Sequence, residues 1–450
     1  MRLSVGRLKK YGLKLLPPAN TFRSTKTTQG YSLMSSLNAQ LATVDASNPR
    51  NACWNAYRER ALAAGQEFIK AVDLAASTIR ERRFESEAQG LVTDETMQAM
   101  VEAGVFRTFT PLQYGGLEVD PASFFEGIMK VGEADSSAAW IAGQLNCHAF
   151  EIALMDKRMQ DEFWADGPDT RASSSYAPIG KPEKVEGGYL LNGTWTFSSG
   201  VDHAQWVILG GGARNFIVPI SDVSIDHNSW DVSGLKGTGS KAVTLKDVFV
   251  PDYRIHELVD TYNDANPGWE VNNRPLYWMS FLGIFNSTAT NTVIGTAMCG
   301  VNTFIEQSRV RLTRQGTGAP IAQNPFLHLK LADVLTKVNG VRERHLNNWK
   351  ALFEIACRGE EASPLERMRV RFESADANAT CFESIALLWP IAGAAASASD
   401  NILQQVFRDL MAARNHGSAG RELAAGQYIK TMFGMAPAPF SDFGTLAYYK

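Results

Sequence analysis

The stretch Gly188-Tyr-Leu-Leu-Asn-Gly-Thr-Trp-Thr-Phe-Ser-Ser-Gly-Val-Asp-His-Ala204 is where the apolar pattern of the chain changes its period. Tyr189-Leu190-Leu191 and Trp195-Thr196-Phe197 are short apolar or alternating runs, and Gly187-Gly188 and Asn192-Gly193 punctuate them as turns punctuate strands. The same texture extends from about Arg171 to Tyr262. It takes in Val185, Trp206-Val207-Ile208-Leu209, Phe216-Ile217-Val218 and Ala242-Val243-Thr244-Leu245, with Gly210-Gly211-Gly212 as a further break. Short runs between such breaks predict a compact antiparallel β unit of roughly six to eight strands.

Outward from this unit the period returns to that of helices. Apolar residues recur three and four apart from Ala61 to Ile79, and Thr93-Asp94-Glu95-Thr96 is a capping signal ahead of Met97, Met100 and Val101, with Gly104 as the stop. Pro121 opens another helix, and Asp135-Ser136-Ser137 caps a strongly apolar one containing Trp140. Beyond a polar connector from Asp260 to Asn273, helical patterns continue to about Lys430. Helices, a β insert and helices again make an α+β chain; without βαβ alternation there is no Rossmann unit. The expected division is a basic extension or leader over 1–50, a helical domain over 51–168, a β-barrel-like domain over 169–270 and a helical bundle over 271–450.

Composition narrows the function. The chain has 450 residues, 45% of them hydrophobic, and 44 basic against 47 acidic side chains leave a net charge of −3. That balance argues against a general nucleic-acid binder and gives no whole-chain attraction to anionic membranes. No run of eighteen apolar residues is present, so no membrane partner is expected. Cys53, Cys147, Cys299, Cys357 and Cys381 lie far apart without a CxxC pair, which reads as reduced thiols in a cytoplasmic protein. The first 44 residues carry seven basic and no acidic side chains. They read either as an organelle transit peptide or as a disordered extension, with Met34 as an alternative start.

Two signals are look-alikes. Gly234-Leu-Lys-Gly-Thr-Gly-Ser-Lys241 suggests a phosphate loop, but the order is wrong and Val243, Leu245, Val248 and Val250 alternate after it as in a strand. None of the seven histidines pairs with another at metal-ligand spacing on a helix, so no metal site is expected. His148, eight residues after Trp140, reads on spacing alone as a hydrogen-bonded core residue as readily as a catalytic one. Ser173-Ser174-Ser175 and Ser198-Ser199 read equally as turn or cap residues.

Taken together, several stretches carry more. Tyr114-Gly115-Gly116-Leu117, Gly234-x-x-Gly237-Thr238-Gly239-Ser240 and Asp247-Val248-Phe249-Val250-Pro251 resemble the signature stretches of the acyl-CoA dehydrogenase fold. Trp140 to Trp164, Ala172-Ser173-Ser174-Ser175-x-Ala177-Pro178-x-Gly180-Lys181 and Phe197-Ser198-Ser199-Gly200-x-Asp202-His203-Ala204 are similar to its flavin-dependent monooxygenase branch. The chain most resembles the oxygenase components of two-component p-hydroxyphenylacetate 3-hydroxylases. The likeness runs from about residue 55 to 440 and includes Phe407-Arg408-Asp409 to His416.

The resemblance implies an N-terminal helical domain, a middle antiparallel β domain and a C-terminal four-helix bundle, assembled as a homotetramer. Reduced FMN or FAD, made by a separate flavin reductase, would lie between the β domain and the bundle. With molecular oxygen it would hydroxylate a phenolic or other small aromatic substrate through a C4a-hydroperoxyflavin. By position, Ser199 matches the serine that meets flavin N5. Ser174 and His148 match the substrate-pocket serine and histidine, with Ser174 also beside the cofactor, and His416 matches a late active-site histidine. Trp140, Phe197, Arg274 and Arg311 fall among the flavin contacts, although a small insertion at Thr313 to Gly318 departs from the pattern. His148 is the expected acceptor of the phenol proton, with His416 tuning the oxygen reaction. Phe150 departs from the likeness, which has a polar residue there. Two other chemistries share the scaffold. One is an acyl-CoA dehydrogenase, which needs a carboxylate base that Arg408-Asp409 to Gly417 does not supply; the other is an N- or S-oxygenase of a heteroaromatic.

Overall fold

The computed structural model describes residues 49–262, 265–312 and 318–438. Residues 1–48 of the leader or extension therefore lie outside the described residues, as do Thr313 to Thr317 of the expected insertion. The N-terminal helices are α1 (Pro49–Glu81), α2 (Arg83–Gln89), α3 (Asp94–Glu102), α4 (Pro121–Ala134), α5 (Ser136–Ala153) and α6 (Lys157–Phe163). The capping signals act as read. Thr93 Oγ1 accepts from the Thr96 N–H, and Asp120 and Asp135 do the same for α4 and α5. Every residue of α5 is buried. A helix with apolar and small residues on all faces can only sit inside, and α5 is covered by α4, the β unit and the C-terminal bundle.

Eight strands follow: β1 (Ala172–Ser175), β2 (Lys181–Val185), β3 (Gly188–Ser198), β4 (Trp206–Gly211), β5 (Arg214–Pro219), β6 (Ser224–Asp226), β7 (Lys241–Pro251) and β8 (Ile255–Glu257). They form two sheets, β1-β4-β5-β8 and β2-β3-β7-β6. Leu191, Trp195, Leu209, Phe216, Val243 and Leu245 from the two sheets close a shared core, and the Trp195 indole N–H donates to the Gly210 carbonyl at 2.9 Å. Two expectations need correction. The unit is not wholly antiparallel, because β1 pairs parallel with β4. The β2–β3 hairpin intervenes between them, giving the chain the length it needs to return in the same direction. Asn192-Gly193 is not a turn but lies inside β3 at a register shift against β7. Gly193 is required there because a Cβ would sit 2.6 Å from the Trp195 ring, while Asn192 Oδ1 accepts the Asp247 N–H at 2.8 Å.

After α7 (Leu258–Tyr262) come α8 (Phe281–Val310), α9 (Pro325–Cys357), α10 (Pro364–Leu388), α11 (Ile402–Ala413) and α12 (Arg421–Met432). Helices α8 to α11 form the bundle; α8 also packs on α4 and α5 and so joins it to the N-terminal helices. The phosphate-loop look-alike serves as the seam between β unit and bundle. The Leu235 N–H donates to Asp409 Oδ1 at 2.6 Å, and Arg408 Nη1 donates to the Ser233 carbonyl at 2.6 Å. Gly234 lies so close to α11 that a Cβ would fall 2.1 Å from the Arg408 carbonyl oxygen. Among the described residues no helix is long and apolar enough to cross a membrane.

Candidate active site

Where α5 runs beneath the edge of the β unit, it sets Trp140 against the end of β3. The indole N–H of Trp140 donates to Ser199 Oγ at 3.1 Å. Ser199 Oγ lies 2.8 Å from Ser240 Oγ, which lies 2.7 Å from Thr238 Oγ1, and Thr238 donates its proton to the Leu235 carbonyl at 2.8 Å. A carbonyl only accepts, so the direction of this chain is fixed. Thr238 has spent its proton, Ser240 must donate to Thr238, and Ser199 must donate to Ser240. Ser199 thus keeps one acceptor position, beyond the one that Trp140 fills.

The two candidate histidines are held in opposite tautomers. His148 Nδ1 is 2.6 Å from the Ala172 carbonyl oxygen and therefore carries the proton. Burial holds the imidazole below its ordinary pKa, so it is neutral, and its bare Nε2 has no hydrogen-bond partner among the described residues. His416, in the turn after α11, accepts the Ser418 N–H on Nδ1 at 3.3 Å, with Ser418 Oγ 2.7 Å away. Its Nε2 therefore carries the proton. Loss of solvation, reinforced by the charge of Arg371, pushes its pKa down to about 4.

Aromatic rings join the two. The His416 ring meets Trp140 edge-on at 5.2 Å and Phe285 at 6.5 Å; Tyr176 meets Phe285 at 4.9 Å and His148 at 5.8 Å. On β1, Ser173 Oγ donates to the Ser199 carbonyl at 2.9 Å and Ser175 Oγ to the Thr196 carbonyl at 2.8 Å, so both tie the two sheets together. Ser174 alternates to the other face, where its hydroxyl influences Tyr176. On a neighbouring face of α8 lies a cavity of about 260 Å³, walled by Leu282, Asn286, Trp349 and Arg371.

Comparison with known proteins gives the family. The family of acyl-CoA dehydrogenase C-terminal domains matches residues 287–420. The HsaA oxygenase subunit of a flavin-dependent monooxygenase from Rhodococcus jostii is 32% identical over 83% of this chain and 99% of its own. The oxygenase component of p-hydroxyphenylacetate 3-hydroxylase from Acinetobacter baumannii is 31% identical over 77% of this chain and 84% of its own. The crystal structure of the HsaA monooxygenase from M. tuberculosis superposes with a TM-score of 0.79 at 31% identity, covering 83% of this chain and 99% of that one. The chain belongs to the oxygenase subunits of flavin-dependent monooxygenases.

In this oxygenase the structure brings Trp140, His148, Ser174, Ser199 and His416 together, and leaves three expected contacts outside that cluster. Phe197 has φ +64° and presents a 67% exposed ring to Trp230. Arg274 pairs with Glu118 at 2.5 Å. Arg311, at the far end of α8, donates to the Ile391 and Ala392 carbonyls. It follows Phe285 by 26 residues, about 39 Å along the helix. The sequence reading also missed a group: Glu151, fully buried one turn after His148. Its Oε2 accepts from the Tyr176 hydroxyl at 2.5 Å; its Oε1 accepts from Asn215 at 2.7 Å and lies 2.8 Å from His256 Nδ1. The available signal was that Glu151 is the one carboxylate in α5. An ionisable side chain in an otherwise uncharged buried helix needs partners.

Proposed function

We propose that this oxygenase hydroxylates a phenolic or other aromatic substrate, using dioxygen and reduced FMN or FAD supplied by a separate reductase. The observation that carries the reading is the pairing of two neutral histidines of opposite hydrogen-bonding polarity on one aromatic cluster. His148 Nε2 offers a lone pair to a substrate hydroxyl and can accept its proton as the ring becomes a nucleophile. His416 Nε2–H is a donor suited to an oxygen that gains negative charge. Reduced flavin, when bound, supplies the electrons with which one atom of dioxygen is transferred to the ring.

The residues present fit that cofactor. The one open acceptor position of Ser199 suits the N5–H of reduced flavin and not the bare N5 of the oxidised form. Trp140 offers an aromatic edge, and Tyr176, Phe281 and Phe285 make a wall that excludes water. A dehydrogenase reading lacks its base: Glu151, the carboxylate beside Tyr176, is already engaged by Tyr176, Asn215 and His256. The p-hydroxyphenylacetate relative supports an aromatic substrate. The proposal extends to a homotetramer in the cytoplasm, the former measurable by light scattering. The direct test supplies chemically reduced FMN or FAD and oxygen to the protein with a panel of phenols. Hydroxylated product without a nicotinamide cofactor is expected; NADH oxidation by this polypeptide alone would overturn the two-component arrangement.

A further inference from the structure

The Glu151 cluster has no part in the chemistry assigned to the two histidines, yet Tyr176 joins it directly to the ring of His148. Helix α5 contributes Glu151 and His148 one turn apart, β5 contributes Asn215, β8 contributes His256, and Tyr176 follows β1. Glu151, Asn215 and His256 are exposed by 2% or less. Burial alone would raise the Glu151 carboxyl, but His256, Tyr176 and Asn215 together hold it below the usual carboxylate range. The carboxylate in turn lifts His256 above an ordinary imidazole, against the pull of burial. Glu151 is therefore an ionised acceptor on both oxygens. Burial, and then the Glu151 charge, keep Tyr176 protonated. Its single proton goes to Glu151 Oε2, so the phenol oxygen otherwise only accepts: the Ser174 hydroxyl engages one lone pair, and one remains to offer a substrate. Its ring lies 5.8 Å from that of His148, whose Nε2 is also a bare acceptor.

We propose that Glu151 is a positioning residue that sets the hydrogen-bond polarity of the substrate pocket, so that the site selects arenes bearing an O–H or N–H donor over ethers and carbonyls. The proposal rests on the aromatic-substrate reading and adds the group that enforces it. Glu151→Gln has a distinctive consequence. The amide oxygen must take the Oε1 place, where Asn215 and His256 donate, which puts the NH2 group against Tyr176. The Tyr176 proton then turns into the pocket, and the preference inverts.

The test needs no flavin. Dissociation constants of 4-ethylphenol and its methyl ether, 4-ethylanisole, are measured by quenching of tryptophan fluorescence in wild type, Glu151→Gln and Tyr176→Phe. Wild type favours the phenol. Tyr176→Phe, which keeps the ring and its packing, narrows the ratio by about tenfold, the effect of one buried hydrogen bond. Glu151→Gln carries the ratio further, toward the ether. A phenol-to-ether ratio within twofold of wild type in folded Tyr176→Phe overturns the role of Glu151, whether or not Glu151→Gln folds. Failure of wild type to bind either arene counts instead against the aromatic-substrate reading.

Discussion

His148 on α5 and His416 in the turn after α11 face one cluster of rings, yet one imidazole is fixed by a carbonyl and the other by an N–H. Each region reflects its local backbone. Helix α5 passes a strand end whose Ala172 carbonyl needs a donor, so His148 is left with a bare Nε2. The turn Gly417–Ala419 starts a short helix whose free Ser418 N–H needs an acceptor, so His416 caps it through Nδ1. Residue type made both histidines candidates; the backbone group next to each decides which ring can accept a proton and which can donate one.

The largest expected effect breaks this pair at the base. His148→Asn should lower hydroxylation by about a hundred- to ten-thousandfold, the usual contribution of a general base, while reduced-flavin binding stays near wild type. His416→Asn should slow the oxygen-dependent step by less and leave phenol binding intact. Product yield and oxygen consumption followed separately would distinguish the two. Equal, small losses in both variants would make them structural histidines.

The structure also shows how much of this was legible in the sequence. Order of elements and the caps at Thr93 and Asp135 followed from local signals, whereas His148 and Ser199 were singled out by resemblance. The roles of neighbouring serines did not, because Ser173 and Ser175 are consumed by carbonyls of another sheet and only the register reveals it. Asn192-Gly193 misled because a bulge and a turn ask for the same residues, and only the packed Trp195 ring distinguishes them. Glu151 and His256 are 105 residues apart, a pairing that no local pattern contains.

A third histidine provides a control for the comparison. His345 on α9 is 2% exposed, packs on Phe125, and has no hydrogen-bond partner for Nε2 among the described residues. Burial, with the charge of Arg344, pushes its pKa down to about 3. An unfolded imidazole titrates near 6.5, so as pH falls below that value the unfolded chain gains a proton that the folded chain does not. Stability should therefore fall between pH 7 and pH 5, by about 2 kcal/mol from this residue. His345→Leu should remove that increment in urea titrations at the two pH values and leave hydroxylation unchanged. An unaltered pH dependence would mean that the site admits the charged form.

The smallest expected effect concerns the proposed cofactor side, where Ser199 is made an acceptor by Thr238 two hydroxyls away. Thr238→Val keeps the side-chain shape and removes the proton that ends on the Leu235 carbonyl, and also the acceptor that oriented Ser240. Ser240 is then free to donate to Ser199, and Ser199 can turn its own proton outward, toward a bare flavin N5. Binding of oxidised flavin should strengthen relative to reduced flavin by about tenfold, one buried hydrogen bond's worth, which for a two-electron couple is a fall of about 30 mV in the bound potential. Thr238→Ser restores the chain and should restore the wild-type ratio. Anaerobic titrations with reduced and oxidised FMN and FAD give that ratio directly. If Thr238→Val and Thr238→Ser bind both redox forms as wild type does, the hydroxyl chain does not set the direction of Ser199, and the asymmetry between the two ends of the site lies in the histidines alone.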